Sequence, residues 1–111
     1  MAETQTYTVA RVGDVEPGTA IVVTAGPRRL ALCRAEDGAF YAIDDVCTHD
    51  GGPLGEGEIF DCEIECPRHG ARFDILTGQV TALPAVFPVH TYPVTVEDGA
   101  VKVQVPAEAR R

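Results

Sequence analysis

The sequence predicts an all-β domain, on three observations. No segment carries a sustained 3.6-residue hydrophobic period. Short runs rich in Val, Ile, Thr and aromatic residues recur along the chain. Turn signals containing glycine separate those runs. Together they argue for a small sandwich or barrel. At 111 residues, one domain spanning 1–111 is expected, with no repeat, linker or low-complexity segment.

The elements follow in order. Residues 6–12 alternate loosely. Residues 19–24 hold Thr19, Ile21, Val22, Val23 and Thr24, a β-branched run suited to a pleated surface. Ala25-Gly26-Pro27 breaks that strand and residues 29–34 resume it. Asp37-Gly38 marks a hairpin turn before a strand over 39–43. A loop begins at Asp44. Residues 58–65 predict one continuous strand, in which Phe60, Cys62 and Ile64 alternate with acids. A short strand at 72–75 and a Thr77-Gly78 turn follow. Strands over 89–96 and 100–105 flank Asp98-Gly99, a second hairpin signal.

Charge narrows the function classes. The formal net charge is −8, which disfavours nucleic-acid binding, since that surface would be basic. Asp44, Asp45, Asp50, Glu56, Glu58, Asp61, Glu63 and Glu65 fall between residues 44 and 65 with no Lys or Arg among them. Such a run aids solubility, and it can also steer a basic partner surface. No apolar stretch reaches the length of a membrane span, and the polar start Met1-Ala2-Glu3-Thr4-Gln5 lacks a signal-peptide core. A cytoplasmic protein without a membrane partner is the expectation.

Two cysteine–histidine pairs carry the chemistry. Cys47-Thr48-His49 and Cys66-Pro67-Arg68-His69 each offer one soft thiolate and one imidazole. Thiolates select zinc, copper(I) or iron–sulfur clusters, and imidazole suits zinc, copper and iron. A structural zinc site and a [2Fe–2S] cluster with mixed ligands both fit. Zinc fingers usually place two Cys in one half-site and two His in the other. Here each half-site is mixed, which favours the cluster.

The pattern C-x-H, sixteen residues, then C-x-x-H, with CTHDGGPLGEG around the first pair and CPRHGARFD around the second, closely resembles the Rieske family. The resemblance covers residues 5–105, and among its members the chain is most similar to the small ferredoxins that feed ring-hydroxylating oxygenases. It implies antiparallel sheets in a small open barrel or sandwich. Two loops, about 44–57 and 65–74, would form a cluster-binding tip. It implies one [2Fe–2S] cluster per chain, with Cys47 and Cys66 on an inner iron and His49 and His69 on an outer one. Two His in place of two Cys leave the oxidised centre neutral, which raises its potential above that of all-cysteine clusters. Respiratory members add a disulfide between the loops and hydroxyl donors to the cluster sulfurs. The matching positions here are Gly52, Arg68, Ala71 and Phe73. Fewer donors mean a lower potential within the family's range.

The implied function is one-electron transfer without bond chemistry. A flavin-dependent NAD(P)H reductase would be the donor and a Rieske oxygenase the acceptor. A nitrite-reductase small subunit and a cluster-assembly ferredoxin are alternatives on the same fold. A zinc-stabilised interaction module is the alternative from another class.

The other residues have plainer expectations. Cys33 and Cys62 read as small buried hydrophobes, though a bridge between them is possible. His90 reads as a surface or edge histidine. Gly51, Gly52, Gly55, Gly57 and Gly70 crowd the motif, where they would let backbone N–H groups approach the cluster. Leu54 and residues 83–88 resemble the family's apolar cover, with core packing the alternative for Leu83, Val86 and Phe87.

Overall fold

The computed structural model describes residues 4–46, 54–67, 70–83 and 87–106. Every strand pairing among them is antiparallel, and three sheets result.

The first sheet joins β1 (Thr4–Arg11) to β11 (Ala100–Pro106), with β10 (Val94–Glu97) on the other side of β11. The second runs β2 (Thr19–Ala25), β3 (Arg28–Arg34), β4 (Phe40–Asp44), β9 (Thr91–Tyr92). The third runs β5 (Glu58–Phe60), β6 (Glu63–Glu65), β7 (Arg72–Asp74), β8 (Val80–Ala82). A single 3₁₀ turn, Val12–Asp14, follows β1. The sequence carried no signal for this turn or for β8.

The second sheet is the shared wall. Strand side chains alternate between faces, and β3 uses both. Leu30 and Leu32 enter a core with Val101, Val103 and Val105 of the first sheet. Ala31 and Cys33 enter a separate core with Ile59, Ile64 and Phe73 of the third. All four β3 residues are fully buried, so β3 reads as an unbroken apolar run rather than an alternating one. β4 repeats the division, with Ala42 in the first core and Ile43 in the second.

The hairpin signals hold. Glu97 pairs with Ala100 across Asp98-Gly99. The break at Gly26-Pro27 is also a hairpin turn, with Ala25 paired to Arg28. Around Asp37-Gly38 the Ala35 N–H donates to the Ala39 carbonyl at 2.8 Å.

Two expected strands are corrected. The run 58–65 is not continuous: Phe60 pairs with Glu63 across a two-residue turn at Asp61-Cys62. Both turn residues lie in the left-handed region, with φ of 51° and 65°. That is what a type I′ hairpin turn requires, although Asn-Gly is its usual sequence. The run 89–96 is also split. Pro93 lacks an N–H and interrupts the ladder. Thr91–Tyr92 therefore pairs with β4, while Val94–Glu97 pairs with β11 in a different sheet.

Candidate metal centre

The second ligand loop grows out of the β6–β7 hairpin. Glu65 pairs with Arg72 as the last rung of that ladder. Just beyond it the Cys66 N–H donates to the Ala71 carbonyl at 2.7 Å, and the Gly70 N–H donates to the Cys66 carbonyl at 3.1 Å. Gly70 has a φ of +79°, a left-handed conformation that other L residues adopt with strain. Cys66 is fully buried in the core that also holds Leu54, Ile64, Ala71 and Phe73.

The first loop is rooted by two adjacent carboxylates with different tasks. Asp44 closes β4. Its Oδ1 accepts the Tyr92 hydroxyl at 2.6 Å, and its Oδ2 lies 3.1 Å from His90 Nδ1. Asp45 points elsewhere, with its side chain 0% exposed. Its Oδ1 accepts the buried Gly55 N–H at 2.7 Å, and its Oδ2 meets the Arg29 guanidinium at 3.1 Å. The Asp45 N–H donates to the Arg29 carbonyl at 3.2 Å. A buried carboxylate needs such partners to offset lost hydration. Arg29 is 65% exposed, so solvent screens that pair. The Gly55 N–H is the shielded partner.

The returning leg of the loop is packed hard on both sides. A Cβ at Gly55 would lie 2.5 Å from Val22 Cγ2 and 3.1 Å from Asp45 Oδ1. A Cβ at Gly57 would lie 2.0 Å from the Glu65 carbonyl oxygen. These two glycines thus serve close approach, and the Gly55 N–H serves Asp45 rather than a cluster. Gly57 presses against the residue preceding Cys66, so the leg touches the root of the second loop.

Of the four expected ligands, Cys66 lies among the described residues. Cys47, His49 and His69 lie outside them, as do Gly51, Gly52, Arg68 and Val86. The described residues fit a metal cluster at this place. One buried thiol stands in apolar surroundings, beside the convergent legs of both motif loops. Ala71 and Phe73 are fully buried and carry no hydroxyl.

The remaining cysteines are free thiols and form no bridge with each other. Burial, with Asp45 adding to it, pushes the Cys33 thiol up to about 12, so it stays protonated and its role is packing. Cys62 is half-buried rather than buried. Burial raises its thiol above the ordinary range, and the carboxylates of Asp37, Asp74, Asp61 and Glu36 add to this. His90 is exposed, as expected. Leu83 and Phe87 are 75% and 65% exposed, so core packing does not explain them.

The acidic run is partly neutralised from outside its own sequence. Arg72 pairs with Glu65 at 3.3 Å and Glu63 at 3.9 Å, and its guanidinium lies over the Phe60 ring. Asp45 was the residue sequence reasoning missed. It reads as one acid among eight, and only tertiary structure buries it.

An all-β domain in which Leu54 of the first motif loop shares a core with Cys66 of the second suits a small metal-binding class. Comparison narrows it. A Rieske [2Fe-2S] domain model matches residues 5–93. The chain is 41% identical over 96 residues to the 3-phenylpropionate/cinnamic acid dioxygenase ferredoxin subunit of Escherichia coli K12, covering 86% of this chain and 89% of that one. A Sphingomonas yanoikuyae B1 ferredoxin superposes with a TM-score of 0.85 at 37% identity, covering 92% and 100% of the two chains. The ferredoxin solved as a complex of reduced oxygenase and oxidized ferredoxin in carbazole 1,9a-dioxygenase superposes with a TM-score of 0.81, also at 37% identity, covering 88% and 91%. This chain belongs to the Rieske [2Fe–2S] family. Its cofactor is accordingly a [2Fe–2S] cluster, which sets the zinc alternative aside. Among the described residues no helix is long and apolar enough to cross a membrane.

Proposed function

We propose that this protein is the ferredoxin of an aromatic-ring dioxygenase system. It carries single electrons in the cytoplasm from a flavin-dependent NAD(P)H reductase to a Rieske oxygenase. The observation that carries this is its 41% identity to a dioxygenase ferredoxin subunit along most of both chains. The ferredoxin of the carbazole complex supports an oxygenase as acceptor. That identity favours this system over the nitrite-reductase and cluster-assembly alternatives.

Cys47 and Cys66 would bind one iron of the cluster, and His49 and His69 would bind the other. When bound, the cluster supplies a one-electron couple. The chain's own residues supply the setting. Leu54, Ile64, Ala71 and Phe73 exclude water around Cys66. Asp44 and Asp45 anchor the first loop to β9, β3 and its own returning leg. Glu56, Glu58 and Glu65 line an acidic cleft of about 280 Å³ beside Pro67, a negative field that speeds encounter with a basic partner.

EPR of the dithionite-reduced protein, with iron and sulfide assayed on the same sample, tests the ligand set. A rhombic signal at two irons and two sulfides per chain is expected. Cys66→Ser and His69→Ala should each abolish that signal. Stopped-flow reduction by a dioxygenase-system reductase tests the role, and its rate should fall as salt rises. Reduction by a nitrite-reductase flavoprotein but not by a dioxygenase reductase would overturn the assignment of system.

A further inference from the structure

We infer that Asp45 is a positioning residue for the cluster. Its carboxylate closes the first ligand loop by holding the loop's returning leg to its outgoing one. The inference rests on Cys47 and His49 being ligands, as proposed above.

The geometry is that of a clasp. Asp45 lies two residues before Cys47 on the loop's outgoing leg, and Gly55 lies on its returning leg. One hydrogen bond of 2.7 Å, from the Gly55 N–H to Asp45 Oδ1, joins these two points. The carboxylate is wholly buried, so water does not compete for the bond. Val22 and Asp45 together crowd Gly55, and nothing larger than glycine fits there. If the leg moves away from Asp45, Oδ1 is left buried without its donor, with only Oδ2 still paired to Arg29. Two residues on, Gly57 abuts the Glu65 carbonyl at the root of the Cys66 loop. The clasp therefore ties the leg that follows the first ligand pair to the root of the Cys66 loop.

The ion pair with Arg29 is the secondary contact, because Arg29 is largely in solvent. Asp45→Asn keeps an acceptor oxygen for the Gly55 N–H and loses the charge. Asp45→Ala loses both. Arg29→Met loses only the ion pair. If the clasp is the function, these variants rank by whether the acceptor survives.

The test uses the cluster-loaded protein, after two irons and two sulfides per chain and the rhombic EPR signal have been confirmed for the unaltered chain. Failure at that first step overturns the ligand assignment and not the clasp alone. Loss of visible absorbance is then followed in excess chelator. Asp45→Ala should bleach about tenfold faster or more, the usual worth of a hydrogen bond to a charged group. Asp45→Asn and Arg29→Met should stay within about threefold of the unaltered chain. Hydrogen exchange on the unaltered protein gives an independent reading, even if the alanine variant does not fold. The Gly55 amide should exchange about 100-fold slower than an open loop amide, as a shielded, bonded group does. Exchange at the open-loop rate would overturn the proposal. So would bleaching by Arg29→Met as fast as by Asp45→Ala, which would assign the effect to the ion pair. Val103→Ala, in the opposite core, controls for general destabilisation. If it bleaches as fast as Asp45→Ala at equal loss of melting temperature, Asp45 has no special position.

Discussion

Replacing Gly57 by alanine puts a methyl group 2.0 Å from the Glu65 carbonyl oxygen, 3.1 Å from its carbonyl carbon and 3.2 Å from the Leu54 carbonyl oxygen. All three are backbone atoms, so no side-chain rotation relieves the clash. Glu65 is fixed by its pairing with Glu58 on one side and Arg72 on the other. The leg is fixed by the Gly57 N–H bond to the Leu54 carbonyl at 2.9 Å. Ordinary van der Waals contact requires one of them to retreat by roughly 1 Å or more, an overpacking strain at the upper end of the usual range, about 3 kcal/mol. For a domain of this size that corresponds to a melting temperature lower by roughly 10–20 °C. The retreat also separates the first loop's leg from the root of the Cys66 loop, so iron content should fall with stability. The assay is thermal unfolding of purified protein by far-UV circular dichroism, with cluster absorbance recorded in parallel. Gly13→Ala is the control, because nothing lies within 4 Å of its added methyl. A Gly57→Ala protein within about 0.5 kcal/mol of the unaltered chain, fully loaded with iron, would refute the contact between the two loops.

Three further outcomes are expected. Cys33 has its thiol raised to about 12 in the folded state, so unfolded chains ionise first as pH climbs. Its contribution is intact below the unfolded value of about 8.5 and is lost as pH rises toward the folded one. Urea melts across about pH 9 to 11 should show a flatter decline for Cys33→Ala than for the unaltered chain; parallel declines would contradict this. Cys62 holds a φ of 65° in its turn, so Cys62→Gly should raise the urea midpoint by relieving about 1 kcal/mol of left-handed strain. A lowered midpoint would mean that packing of the thiol outweighs the turn. With Ala71 and Phe73 buried and lacking hydroxyls, the midpoint potential should lie near the low end of the family's range, around −150 mV. Protein-film voltammetry checks it, and a value near the top of that range would show that other donors compensate.

What the sequence disclosed divides along physical lines. Local chemistry was legible. Asp98-Gly99 and Asp37-Gly38 carry their turn geometry in two residues, and both hairpins formed where expected. The family and its cofactor were legible in the cysteine–histidine spacing, since a metal constrains residue type and separation together. Asp61-Cys62 was missed because its residues are not the usual pair for that turn, and the alternation of Phe60, Cys62 and Ile64 imitated a continuous strand. Pro93 was passed over within an apparently continuous run. The missing N–H was visible in the sequence, but the change of sheet it accompanies was not. Asp45 lay beyond sequence altogether. Burial of a carboxylate depends on where Gly55, Arg29 and Val22 meet, and no local pattern records that meeting. The double burial of β3 could be suspected from Leu30-Ala31-Leu32-Cys33, but the two partners facing it could not.

The pairing of β1 with β11 runs from Thr4 opposite Pro106 to Arg11 opposite Ala100. A ribosome makes this chain from one end, so β1 waits without its neighbour until Ala100–Pro106 has emerged. By then both ligand loops and the hairpins that carry them have been synthesised. Contacts this far apart in sequence close slowly, which leaves an interval in which the metal-binding half exists while the first sheet is still open. β11 therefore completes the first sheet only after both cysteine–histidine segments have been made.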